Sequence, residues 1–208
     1  MDEKYLKIEI PLEPDVLKQL EEDIDMDVAD RKTHLKVGAA YYQPNRWGDD
    51  YYDWLVDLVK QRTEETLGRE LVVGPWWLMS YVSNEITLPH SHVNMADWVT
   101  IYYFSAPEGS GALYFNVLDE TVYPYTGLAV IHKGDEMHEV FKNSKEDITR
   151  RNLVINFWEP QNVQKYIDFK ANDFNATGQR ERVEGDQRYG RPPDPSRSTE
   201  VRKKNESL

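Results

Sequence analysis

Apolar residues first recur at helical spacing near the start of the chain. Val16, Leu17, Leu20 and Ile24 follow Pro14 and predict a helix over Asp15–Ile24. A second amphipathic helix is predicted over Asp50–Leu67, with Tyr51, Leu55, Leu58, Val59 and Arg62 on one face. Gly68 ends it, because glycine readily takes the left-handed conformation that closes a helix. Between the two helices, Leu35–Tyr42 reads as a strand. Beyond Gly68 the period falls from about 3.6 to about 2. Residues 71–82, 98–104, 112–117, 127–132, 139–142 and 151–158 read as short strands. They are separated by turn-forming stretches such as Pro107–Gly111 and Lys133-Gly134-Asp135. Strands at this spacing after leading helices predict a mainly β fold, a barrel or sandwich braced by helices on one side.

Composition narrows the function classes. The chain has 208 residues, enough for a sizeable core, and carries a formal charge of −12. That charge disfavours non-specific binding to nucleic acid or to anionic membrane. There is no cysteine, which removes disulfides, zinc–cysteine sites, iron–sulfur clusters and thiol catalysis together and fits a cytoplasmic setting. No apolar run reaches the ~18 residues of a membrane span, and the first residues lack the apolar stretch of a signal peptide. Six Trp and thirteen Tyr predict an aromatic-lined core or pocket. From about residue 171 apolar residues almost vanish. Residues 171–208 are expected to be a disordered polar tail, leaving 1–170 as the folded domain.

The chemistry concentrates in the histidines. Of five, four (His90, His92, His132 and His138) fall within one stretch of the strand-rich region. His90 and His92 lie two apart, so an extended backbone aims both to one side. A neighbouring strand can bring His138 in from the flank, giving three nitrogen ligands and open positions on a metal. His132 sits at an apolar strand position before a turn and reads as structural, or at most as a pocket wall. The Trp76-Trp77 pair reads as core packing. On the final strand Arg150, Asn152, Val154 and Asn156 share a small, polar face, whereas Arg151, Leu153, Ile155 and Phe157 share an apolar one.

Taken in order, Tyr81–Asn84, His90-Ser91-His92, Val99–Phe104, Gly109–Phe115, Pro124–Ile131, His138-Glu139-Val140 and Arg150–Trp158 form a series. It resembles the iron(II)- and 2-oxoglutarate-dependent oxygenases, most of all the prolyl-hydroxylase-like branch and small oxygenases with a His-x-His motif. The likeness covers residues 73–160. It implies a double-stranded β-helix, the jelly-roll barrel also found in cupins, with Fe(II) as metal and 2-oxoglutarate as co-substrate. It further implies a dioxygenase that uses O2 to hydroxylate a C–H bond of a peptide side chain or small molecule. His90 and His138 take ligand positions. Tyr81 and Tyr103 fall where tyrosines line the 2-oxoglutarate pocket, and Arg150 where a cation clamps the far carboxylate. Arg151 competes for that role, and Asn156 is placed on the cofactor-binding face.

One departure stands out. The family motif is His-x-Asp or His-x-Glu, and here His92 occupies the acid slot. Three readings stay open: a three-histidine site, His92 as first ligand with Asn94 next, or His92 outside the metal sphere with Asp97 supplying the acid. Two rival functions follow. The set His90, His92, Asp97 and His138 also resembles a cupin-type metal site that needs no 2-oxoglutarate. Alternatively, the barrel is a non-catalytic module with a degraded site.

Overall fold

A computed structural model of the protein describes residues 5–27, 40–42 and 51–168. The tail expected over 171–208 and most of the strand expected over 35–42 lie outside these residues. In chain order the elements are β1 (Tyr5–Glu9), α1 (Pro14–Asp27), β2 (Ala40–Tyr42), α2 (Asp53–Leu67), β3 (Val72–Val82), β4 (Thr87–His90) and β5 (Trp98–Ser105). They continue with β6 (Leu113–Phe115), β7 (Glu120–Val122), β8 (Leu128–Lys133), β9 (His138–Val140), β10 (Thr149–Trp158) and a 3-10 turn at Pro160–Asn162. Among the described residues no helix is long and apolar enough to cross a membrane.

Two antiparallel sheets result. One has six strands in the order β1-β8-β5-β10-β3-β2, the other four in the order β4-β9-β6-β7. Strand alternation distributes the side chains between two cores. On β5, Val99, Ile101 and Tyr103 point between the sheets, where they meet Leu113, Phe115, Val122 and Val140 of the small sheet. Tyr102 and Phe104 point the other way, onto Leu20, Ile24, Leu55 and Val59 of the two helices. A strand covered on both faces has few polar positions, and β5 is buried from Val99 to Ser105. Each fully buried apolar side chain here contributes roughly 1.5–3 kcal/mol.

The second helix turns further than the sequence pattern suggests. Leu55, Val56, Val59 and Thr63 are its buried residues, while Arg62 is exposed and pairs with Glu65 at 3.2 Å. Thr63 can replace an apolar residue because its hydroxyl is satisfied twice, donating to Val59 O at 2.8 Å and meeting Thr100 Oγ1 at 3.1 Å. Gly68 closes the helix at φ 63°, its N–H donating to Glu64 O. Strands β1, β4 and β7 escape the periodicity reading. They have five, four and three residues.

Candidate metal centre

The small sheet builds the site. Strands β4 and β9 pair antiparallel with His90 opposite His138, so these two rings meet across the ladder with centroids 4.4 Å apart. His92 lies just past the end of β4, on a loop clamped against the turn between β8 and β9. The His92 N–H donates to Gly134 O at 2.6 Å, and the Gly134 N–H donates to Asp97 O at 3.0 Å. Gly134 is required by this approach: a Cβ there would lie 2.0 Å from Ala96 O. The clamp brings the His92 ring to 5.2 Å from His90 and 5.4 Å from His138. Ligand atoms of His90, His92 and His138 all lie within 4.8 Å of one another.

Hydrogen bonding fixes which nitrogen each ring presents. Nδ1 of His90 is 2.9 Å from Leu88 O and Nδ1 of His138 is 2.9 Å from Glu136 O. A carbonyl only accepts, so both Nδ1 atoms carry a proton, and in the neutral ring the Nε2 atom is the one with the lone pair. For His92 the partner is Oδ1 of Asn156 at 2.6 Å. The orientation of that amide is settled by its other end, because Asn156 Nδ2 donates to Pro75 O at 3.0 Å. Nε2 of His92 is then a buried lone pair with no hydrogen-bond partner. Three imidazole nitrogens brought together suit a first-row divalent metal, and their outer hydrogen bonds supply the orientation that metal-bound imidazoles need.

Electrostatics point the same way. Burial, reinforced by the charge of neighbouring His90, holds the His92 pKa down at about 4, with the Asn156 hydrogen bond opposing. Burial also lowers His138, and the charges of His132 and His90 lower it further. Both rings are therefore neutral at pH 7, the form a metal requires. His132, fully buried on β8, is lowered to about 3 by burial and by the charge of His92. It packs edge-on against His138, centroids 4.6 Å apart. Of the tryptophan pair, Trp76 is core, and Trp77 stacks on His92 at 5.9 Å.

Asp97 is engaged elsewhere. Its carboxylate accepts from the Glu159 N–H at 2.8 Å, from Asn162 Nδ2 at 3.0 Å and from the Tyr166 hydroxyl at 2.9 Å. It staples the 3-10 turn to the loop and is no metal acid, which corrects both readings that used it. Asn94 lies in an exposed turn.

A second polar group lies between the sheets. Arg150 is fully buried, with its guanidinium carbon 3.9 Å over the Tyr81 ring. Its Nη1 donates to Gly111 O, but Nε and Nη2 have no hydrogen-bond partner, and neither does the Tyr103 hydroxyl. The Tyr81 hydroxyl is 2.6 Å from Thr87 Oγ1. Glu85 is the carboxylate whose charge reaches Arg150, and it accepts from the Val82 N–H at 2.6 Å. Burial holds the Arg150 pKa below its ordinary value. Buried donors left unpaired are costly, and the guanidinium fork matches a carboxylate.

Arg151 is corrected as a clamp. It points to the helix side of the sheet, where it forms a bidentate pair with Asp25 at 2.9 and 2.5 Å. The amide of Asn156, expected on the cofactor-binding face, is taken up by His92 and the Pro75 carbonyl. Asn156 shares the Arg150 face in the sequence, but its role depends on a loop folded back onto β10 and is invisible in one strand.

No family model matches the sequence, and no curated protein matches it. Solved structures do. A viral collagen prolyl hydroxylase from Paramecium Bursaria Chlorella virus-1, in complex with 2OG, is 12% identical with a TM-score of 0.59, over 75% of this chain and 96% of that one. A prolyl-4-hydroxylase from Pseudomonas putida is 14% identical with a TM-score of 0.56, over 75% and 92%. The non-heme alpha-ketoglutarate-dependent epimerase SnoN from nogalamycin biosynthesis is 14% identical with a TM-score of 0.60, over 75% and 78%. At these identities the likeness is one of architecture: the chain has the double-stranded β-helix fold of the 2OG-Fe(II) oxygenases.

Proposed function

We propose that the protein is an Fe(II)- and 2-oxoglutarate-dependent dioxygenase that hydroxylates a C–H bond of a peptide side chain or small molecule. The observation that carries this reading is the buried Arg150, with two unpaired nitrogens, Nε and Nη2, beside the unpaired Tyr103 hydroxyl, inside the same β-helix as the three-histidine cluster. A cupin-type centre has no need of a carboxylate clamp. A non-catalytic barrel has no need of either group.

In this reading His90, His92 and His138 hold the metal through Nε2. When bound, iron with 2-oxoglutarate and O2 supplies oxidative decarboxylation to succinate and CO2 coupled to hydroxylation. The chain supplies position and shielding. Arg150 receives the distal carboxylate, Tyr81 packs on the guanidinium face and holds its plane, and Tyr103 offers a hydroxyl to the same anion. Asn156 keeps His92 in the one tautomer that leaves Nε2 for the metal. Val99, Ile101, Leu113 and Phe115, all buried, exclude water from the interior. Leu88 and Val93 flank His90 in sequence and are 54% and 50% exposed, apolar positions suited to an uncharged stretch of substrate.

The test is anaerobic titration of Fe(II)-loaded protein with 2-oxoglutarate. A visible charge-transfer band that disappears on chelation is expected. Metal binding without the band favours the cupin-type centre. No Fe(II) binding at micromolar concentration favours the non-catalytic barrel.

A further inference from the structure

His132 stands outside the three ligands, yet it is prepared as they are. Its Nδ1 is 2.8 Å from the carbonyl of Lys133. That carbonyl can only accept, so Nδ1 carries the proton and Nε2 carries a lone pair. All four clustered histidines thus share one tautomer, with Nδ1 turned to a fixed oxygen. Nε2 of His132 is buried and has no hydrogen-bond partner. Strand β8 aims the ring between the sheets, where it meets Phe115 at 5.4 Å, His138 at 4.6 Å and His92 at 6.4 Å. It does not belong to the cluster whose ligand atoms converge.

A buried acceptor without a donor is unfavourable, and an apolar ring would fill the same space without that penalty. The side of the ring packed on the metal ligands is where a donor can be supplied. We propose that His132 is a positioning residue of the metal centre. Its Nε2 accepts a hydrogen bond from a donor held at the metal, such as a water molecule or a hydroxyl-bearing ligand. The inference rests on the metal-binding reading above and adds a fourth, non-ligating histidine to it. Phe115, which also packs against the ring, offers no donor, and the Lys133 carbonyl already accepts from Nδ1.

The experiment uses the full chain loaded with Co(II) alone, whose visible d–d bands report the ligands and their hydrogen bonding. His132→Phe removes the acceptor and keeps a flat ring. His132→Gln restores an acceptor near the Nε2 position, and His132→Asn withdraws it and serves if the phenylalanine variant does not fold. The expected result is a changed band envelope in His132→Phe or His132→Asn, a wild-type envelope in His132→Gln, and a Co(II) affinity that falls by less than about a hundredfold throughout, since no ligand is removed and loss of an outer partner costs about 10- to 100-fold. A variant lacking the acceptor whose spectrum superimposes on wild type overturns the proposal. So does a loss of affinity of about a hundredfold or more, which marks His132 as a ligand itself. Wild-type protein that binds no Co(II) brings down the metal reading first, an outcome distinct from either.

Discussion

Nδ1 of His92 donates a 2.6 Å hydrogen bond to Oδ1 of Asn156, and Pro75 O holds the other end of that amide at 3.0 Å. The resemblance read in the sequence puts His92 in the slot of an acidic ligand. A carboxylate ligand needs no choice of tautomer, but an imidazole does. Asn156 makes the choice, and Pro75 prevents the amide from flipping.

The first prediction follows from this pair. Asn156→Leu leaves His92 free to rotate and to carry its proton on either nitrogen. Divalent-metal affinity, measured by calorimetry, is expected to fall about 10- to 100-fold. Asn156→Asp keeps an acceptor at the same place and should lose far less. Equal affinity in wild type and Asn156→Leu removes His92 from the ligand set.

The two adjacent arginines separate cleanly. Arg150→Met deletes the unpaired donors between the sheets, whereas Arg151→Met breaks the pair with Asp25 on α1. Loss of a charged, bidentate partner is expected to weaken 2-oxoglutarate binding to metal-loaded protein by about 2–5 kcal/mol in Arg150→Met. Saturating 2-oxoglutarate should raise the melting temperature of wild type and of Arg151→Met, by mass action, and leave Arg150→Met unmoved. Stabilisation of Arg150→Met equal to that of wild type refutes the clamp.

What is legible in the sequence is what depends on one strand or one helix. The polar face of β10 shows as a period of two, and that alternation alone separates Arg150 from Arg151. His90 and His138 sit where a ladder can pair them, and β4 and β9 do so. Relations that cross elements leave no local trace. The Arg151–Asp25 pair depends on where α1 lies over the sheet. The use of Asp97 depends on the chain returning past β10, and Tyr166 is 69 positions away. Arg62 misleads because its place in the helical period outweighs its charge, and Thr63 escapes notice because its partner Thr100 lies on β5. His132 reads as an apolar-strand residue, since nothing local tells that its ring meets the ligands.

Acid should destabilise the metal-free protein through these rings. Their folded pKa values lie below the ordinary 6.5, at about 4 for His92 and about 3 for His132, and His138 is lowered as well. The unfolded chain therefore binds more protons than the folded one below pH ~6.5. Their contribution is intact above that pH and is lost as pH falls from 6.5 towards 4, by roughly a kcal/mol per pH unit for each ring fully in that window. Urea unfolding midpoints at pH 7, 6 and 5 check this. In His132→Gln the slope should be shallower by one ring. A slope unchanged by that substitution contradicts the buried neutral state of His132.

The last prediction concerns Asp97, whose three accepted hydrogen bonds reach Glu159, Asn162 and Tyr166. Because the first is a backbone N–H and the carboxylate sits at the loop that also carries His92, removing it loosens the chain after β10. Asp97→Ala is expected to lower stability by about 2–4 kcal/mol in denaturant unfolding. Under conditions where the variant is folded, metal affinity should stay close to wild type, since His92 remains clamped by Gly134. A structural staple and a metal ligand respond oppositely here. Were Asp97 the acid of a cupin-like set, the alanine variant would lose metal at little expense in stability, because an unfilled ligand position is no tie between elements. The hydrogen bonds to Asn162 and Tyr166 exist only if the carboxylate faces the turn after β10, away from the three histidines, so the same substitution decides both its place and its role.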